Sequence, residues 1–291
     1  MSYASFSELL AAAEKTGSLG KAALEREVEE SGDEASLLRA RMGQTLAVMR
    51  EAVEHGLSGR ATSRSGFVGG DAAAVVASDR GPIGGTFADA IASALAVGEV
   101  NASMGRIVAA PTGGASGVLP AVLLTVGAEH AASEDALITA LFTAAGIGGV
   151  IAARATLSGA AGGCQAEIGS GAAMAAAAAV ELSGGTPTQA GHAASLAIQG
   201  LMGLVCDPIG GLVEVPCVYR NATGSAVALA SAEMALAGVE FPVPLDQVVD
   251  AMGLVGRSLP PSLRETALGG LAVTPAGREM AARAADPGSC G

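Results

Sequence analysis

The chain has 291 residues, enough for one large domain or two and enough to bury a sizeable core. Half of them are hydrophobic, only 15% are charged and 2% aromatic, with 42 glycines and no tryptophan, so the interior must fill space by close backbone approach rather than by large side chains. The formal net charge of −12, from 28 acidic and 16 basic residues, disfavours a nucleic-acid partner, because phosphate binding needs clustered Lys and Arg.

An interior of Ala, Gly, Val and Leu suits close-packed helices, since Ala and Leu are strong helix formers. The fold class expected is therefore all-α. Low charge and a mean hydropathy of +0.48 imply that a partner or another subunit covers part of the surface.

In chain order, Ser5-Phe-Ser-Glu8 has the pattern of a capping box and opens a short helix to about Lys15. Glu25-Arg-Glu-Val-Glu-Glu30 reads as a solvated helix face. Asp33 is placed as the cap of a longer amphipathic helix ending near Gly56. From Leu57 the texture changes to alanine-rich stretches punctuated by glycine. Helices are expected at about 71–79, 86–105, 118–131, 134–153, 166–183, 187–205, 221–238 and 245–257. The only strand-like runs, Arg106–Ala110 and Leu212–Val215, are short, which argues against a large sheet. One more helix follows Gly269, and Pro287 and Gly288 then release the last residues from it. Ala136–Ala153 carries no charge over 18 residues and has the length of a membrane span. Its threonines, its glycines and its lack of basic flanks favour a buried core helix. The N-terminus has neither the basic start nor the apolar core of a signal peptide, so the protein is read as soluble and cytoplasmic.

Two glycine-rich segments are candidate anion contacts. Pro111-Thr-Gly-Gly-Ala-Ser-Gly117 precedes a helix, whose free amides, with the Thr112 and Ser116 hydroxyls and the Gly113 and Gly114 backbone, suit a carboxylate or phosphate. Ser63-Arg-Ser-Gly66 offers Ser63, Ser65 and Gly66. Neither segment is a Walker A loop or a G-x-G-x-x-G fingerprint, and tight turns in a helical domain would look the same. His55, His130 and His192 share no spacing that suggests a catalytic arrangement; His55 sits at a helix end, where the dipole favours a cation.

The four cysteines are Cys164, Cys206, Cys217 and Cys290. The first three lie in short segments marked by glycine and proline, and the fourth is the penultimate residue. A chain of this size needs no disulfides, and the paired spacing of a structural zinc site is missing. Buried, inert cysteines and an iron–sulfur site both remain open on spacing alone.

Gly162-Gly-Cys164-Gln-Ala-Glu-Ile-Gly169, Cys206-Asp-Pro-Ile-Gly-Gly-Leu-Val-Glu-Val-Pro-Cys217-Val-Tyr-Arg-Asn221 and Gly105-Arg-Ile-Val-Ala-Ala-Pro-Thr112 together resemble the iron–sulfur L-serine dehydratases, specifically the alpha subunit of the two-subunit type. The likeness runs from about Ser63 to the end. It implies a lyase converting L-serine to pyruvate and ammonia, with Cys164, Cys206 and Cys217 holding a catalytic 4Fe–4S cluster. Cys290 matches the terminal thiol that reaches the fourth iron in some members. An iron with an open position serves as a Lewis acid on the β-hydroxyl, while a base, not named by the sequence, takes the α-proton. The resemblance also implies an oligomer with a beta subunit carrying a Ser-His-Thr-x-Gly-Pro motif, which this chain lacks. The chain is read as one catalytic domain over 1–291: helices in 1–60, a core in 61–268 that the resemblance makes cluster-bearing, and a helix and cysteine tail in 269–291. The same chemistry on threonine or another β-hydroxy acid, and a non-catalytic cluster sensor, are the competing readings.

Overall fold

A computed structural model describes residues 3–78 and 81–285. Among them the fold is all-helical: α1 (Phe6–Thr16), α2 (Leu19–Ser31), α3 (Ala35–Leu57), α4 (Asp71–Ala77), α5 (Thr86–Ala102), α6 (Val118–Glu129), α7 (Glu134–Arg154), α8 (Gly159–Gly162), α9 (Ile168–Leu182), α10 (Pro187–Leu201), α11 (Cys217–Leu236), α12 (Leu245–Ser258) and α13 (Pro275–Ala285). Arg106–Ala110 and Leu212–Val215 form no strand, and the only β-type pairings described are the isolated bridges Thr62–Gly69 and Cys206–Arg264.

Local chemistry explains several helix starts. The Ser5 side chain accepts from the Glu8 amide, Ser133 accepts from Ala136 at α7, and Thr186 with Gln189 closes a full capping box at α10, each satisfying amides that a helix start leaves free. Asp33 does not cap α3: Glu34 holds that position without a side-chain bond, and the Asp33 carboxylate is taken instead by Arg41 at 2.5 Å. The expected solvated face at Glu25–Glu30 is the outer side of α2, where Arg26 pairs with Glu30 at 2.8 Å.

Helix α9 is the hub of the domain. It packs against α6, α7, α10 and α11, and its Ala172, Ala173 and Ala175–Ala179 are buried to 1% exposure or less. So small a side chain lets neighbouring backbones close in on all sides, as the composition required. Helix α7 is the one described helix long and apolar enough to cross a membrane, yet it lies against α2 and α9, with Ile147, Val150 and Ile151 fully enclosed.

Gly56 marks a tight crossing between α3 and α5. A Cβ there would stand 2.2 Å from the Ala96 carbonyl oxygen and 2.5 Å from its Cα, atoms that move only if a helix moves. Gly56→Ala gains about 1 kcal/mol of helix propensity but forces overpacking that costs about 1–3 kcal/mol or more, so a lower urea midpoint is expected. Gly43→Ala, on the same helix with Ile138 at an ordinary 3.5 Å, should be neutral or stabilising. Equal midpoints for the two variants would contradict the close crossing.

Candidate active site

The site is built where segments feeding α9 and α11 meet the C-terminal loops. Cys164 opens a short 3-10 turn, Cys164–Ala166, that leads straight into α9. Gly163 before it has φ +76°, and a Cβ there would come within 2.9 Å of the Leu204 carbonyl oxygen, so only glycine lets the turn seat itself. Cys206 is fixed by backbone pairing on both sides: its amide donates to Leu263 O at 2.9 Å, and its carbonyl accepts from Glu265 N at 2.7 Å. Cys217 is the first residue of α11, behind Pro216. All three thiols are free and buried.

They are also close enough to perturb one another. The Cys164 thiol is held below its ordinary range, chiefly by its hydrogen bond with Cys206 and helped by the Arg220 guanidinium. Cys206 is displaced upward by the same contact and by burial. Burial, reinforced by charge on Cys164, pushes Cys217 up to about 12. Among the described residues no set of three or more His, Cys, Asp or Glu side chains closes into a shell for a single metal ion. Thiolates as ligands favour soft metal centres, iron–sulfur clusters among them.

Cys206 and Cys217 line a cleft of about 530 Å³, together with Gly113, Gly114, Glu167 and Asn101. Thr112 Oγ donates to Glu167 Oε1 at 2.7 Å, and the other oxygen lies 3.9 Å from Cys206 Sγ. Burial, the main cause, raises the Glu167 carboxyl above its usual range. Asn221 braces the floor: its Oδ1 accepts from Gly117 N at 2.8 Å, and its Nδ2 donates to the carbonyls of Gly114 and Cys217 at 2.8 and 2.9 Å. Behind the thiols, Arg220 donates to Asp207 Oδ1 at 2.7 Å and to Val205 O at 2.8 Å.

The structure brings Cys206, Cys217, Gly113 and Gly114 to this one cleft, with Cys164 behind Cys206 and Thr112 behind Glu167, and the Ser63–Gly66 loop reaches it through Arg64. The roles of the hydroxyls are more internal than their sequence setting suggested. Ser63 Oγ accepts from Val68 N at 3.2 Å, while Ser65 donates to the Glu214 carboxylate and accepts from Phe67 N at 3.1 Å. Gly66 turns the loop at φ +74°. Ser116 is 1% exposed with its hydroxyl unpartnered. The amide at the start of α6 is already engaged by Asn221. Cys290 lies outside the described residues.

The C-terminal segment is anchored to the same place. Asp207 Oδ2 accepts from Leu271 N at 2.7 Å, α13 packs against the Ile209–Gly211 turn, and the Arg283 guanidinium stands 5.7 Å from the centre of the Phe67 ring.

Sequence reasoning assigned no role to Glu167, Glu214, Asp207, Arg220, Asn221 or Glu265. Glu167 follows Cys164 by three residues, and Arg220 and Asn221 follow Cys217 by three and four, the spacing of one helical turn. The sequence pattern suggests a start near 221, whereas the helix begins at Cys217, so the last two spacings lie on one helical face.

A cleft walled by buried thiols and fixed carboxylates on a rigid helical frame is the working part of an enzyme. The chain belongs to the serine dehydratase alpha chain family, whose pattern it matches over residues 14–272, and with that family to the lyases. It is 49% identical over 242 residues to a probable L-serine dehydratase alpha chain of Bacillus subtilis, covering 82% of this chain and 80% of that one. It is 45% identical over 260 residues to the L-serine dehydratase alpha chain of Peptoniphilus asaccharolyticus, covering 88% and 89%. A 48% match over 187 residues to the L-serine dehydratase of Mycobacterium bovis covers 62% of this chain but only 40% of that longer protein.

Proposed function

We propose that this chain is the alpha half of a cytoplasmic L-serine ammonia-lyase, which converts L-serine to pyruvate and ammonia with a 4Fe–4S cluster held by Cys164, Cys206 and Cys217. The observation that carries the reading is the gathering of three free, buried thiols from distant segments, Cys206 and Cys217 on the wall of one cleft and Cys164 hydrogen-bonded to Cys206. When bound, the cluster supplies a Lewis-acidic iron that eases departure of the β-hydroxyl.

The protein's own groups do the rest. Gly113 and Gly114 let a carboxylate approach the backbone closely. The Thr112 hydroxyl fixes Glu167 beside Cys206, and the Ser65 hydroxyl fixes Glu214 on the opposite segment. Arg220 places a positive charge behind the thiolates, and Asn221 holds the glycine loop against the start of α11.

Two observations support a beta chain that completes the site. The relatives of matching length are themselves called alpha chains, and the longer relative has more than half its length outside the match. Met104, at the cleft, is 85% exposed, an apolar surface suited to cover by a partner.

Cys290 is proposed as the displaceable ligand of the fourth iron. From Ala285, the last residue of the helix that packs on the Ile209–Gly211 turn, five extended residues reach at most about 18 Å. A tethered thiol competes with substrate at high effective concentration.

The test is anaerobic reconstitution of the chain with and without a beta-type partner, followed by a pyruvate assay and serine titration of the visible spectrum. Poor turnover alone, strong turnover with the partner and a serine-dependent spectral change are expected. A cluster indifferent to serine would support the sensor instead, and full activity of the chain alone would make the partner dispensable. Cys290→Ala should still load iron, bind serine more readily, show no activation lag and lose iron faster in air. Serine dependence and air sensitivity identical to the unsubstituted enzyme would remove the tail from the site.

A further inference from the structure

The groups in the cleft differ in how much of their bonding capacity is already committed. Thr112 is committed to Glu167, Ser65 to Glu214, and Asn221 to three backbone groups. Among the described residues, two charged side chains that line the cleft make no hydrogen bond or ion pair: Arg64 and Glu265. They do not pair with each other, although they face the same space.

Both are presented by stiffened backbone. Arg64 sits in a loop closed across its base by Ser63 N to Val68 O at 2.9 Å and Gly66 N to Ser63 O at 3.0 Å, with the Ser63 and Ser65 hydroxyls locking the turn from within. Glu265 has φ +65°, a left-handed conformation that an ordinary side chain adopts only when its surroundings impose it. What imposes it is the bond from its own amide to the Cys206 carbonyl at 2.7 Å. A strained residue that aims a free carboxylate into a cleft beside a thiol, opposite a free guanidinium on a separately braced loop, is an arrangement for a ligand carrying both charges.

We infer that Arg64 and Glu265 are the specificity-determining pair of this site, Arg64 taking the carboxylate and Glu265 the α-ammonium of a zwitterionic amino acid. This rests on the lyase reading above and deepens it by separating amino acids from hydroxy acids of the same shape. A guanidinium meets a carboxylate with two parallel donors. A carboxylate left facing a ligand without an ammonium has no partner, which penalises that ligand. The Ser63 and Ser65 hydroxyls then serve to position Arg64 and do not themselves bind substrate.

The experiment uses the reconstituted enzyme with its beta-type partner and three probes: L-serine as substrate, glycerate (no ammonium) and serinol (no carboxylate) as competitors. Glu265→Gln should raise KM for serine roughly ten- to a hundredfold with kcat less affected, weaken serinol similarly, and leave glycerate unchanged or tighter. Arg64→Gln should weaken serine and glycerate by comparable factors and leave serinol unchanged, while Arg64→Lys should recover part of the loss. Uniform weakening of all three probes in either variant, or no change in any, would overturn the pair. If the unsubstituted enzyme forms no pyruvate from serine, it is the lyase reading that has failed; the pattern across competitors is read separately from their displacement of one another.

Discussion

Replacing Cys164, Cys206 or Cys217 by Ala is expected to give a folded chain that takes up little iron, shows no visible charge-transfer absorption and forms no pyruvate. The three positions are not interchangeable with ordinary buried cysteines. Each sits at a point where the chain changes direction: before the turn into α9, between two backbone pairings, and at the first residue of α11. Each variant loses only one small buried sulfur, so helix content should hold and the unfolding free energy of the iron-free protein should change by about 1 kcal/mol or less. Iron and acid-labile sulfide should fall to a small fraction of the unsubstituted level in all three. Full iron content in any one variant would remove that residue from the ligand set, and collapse of the iron-free fold would show that the thiols are structural.

The second large effect is expected from Asp207→Ala. Its side chain is 4% exposed and that of Arg220 14%, and one carboxylate serves both the guanidinium and the Leu271 amide. Removing it leaves a buried cation unpaired beside the thiols and frees the segment leading to α13. Breaking a buried pair from one side typically costs about 3–5 kcal/mol, so a large fall in the urea midpoint of the iron-free chain is expected. Adding Arg220→Met should restore part of it, because the stranded charge is gone. A change below about 1 kcal/mol for Asp207→Ala, or no rescue in the double variant, would show that the pair is dispensable.

The helical class and most helix positions were legible in the sequence because alanine content and capping residues act locally. Thr186 with Gln189, and Ser5 with Glu8, state their helix starts within four residues. The misplacements have equally local causes. Asp33 is a good cap by type, but Arg41 eight residues on competes for its carboxylate. The start of α11 was placed late because Val215-Pro216 reads as a turn, although a proline just ahead of a helix is compatible with its start. The cysteines and the glycine loop were legible as motifs. The division of labour among the hydroxyls was not, since Thr112 meets Glu167 across 55 residues and Ser65 meets Glu214 across 149, and no sequence period encodes such pairings.

The alanine hub also says how this enzyme can diversify. A helix walled on every side by neighbouring backbones leaves no room for larger side chains, so α9 is closed to experimentation, and with it the position of Cys164 at its entrance. Heritable change in what the cleft accepts must therefore come through the loop positions around 64–66, 112–114 and 265–268, where new side chains can be tried without moving a helix. The chemistry is kept by the frame, and substrate choice is left to segments that can vary independently of it.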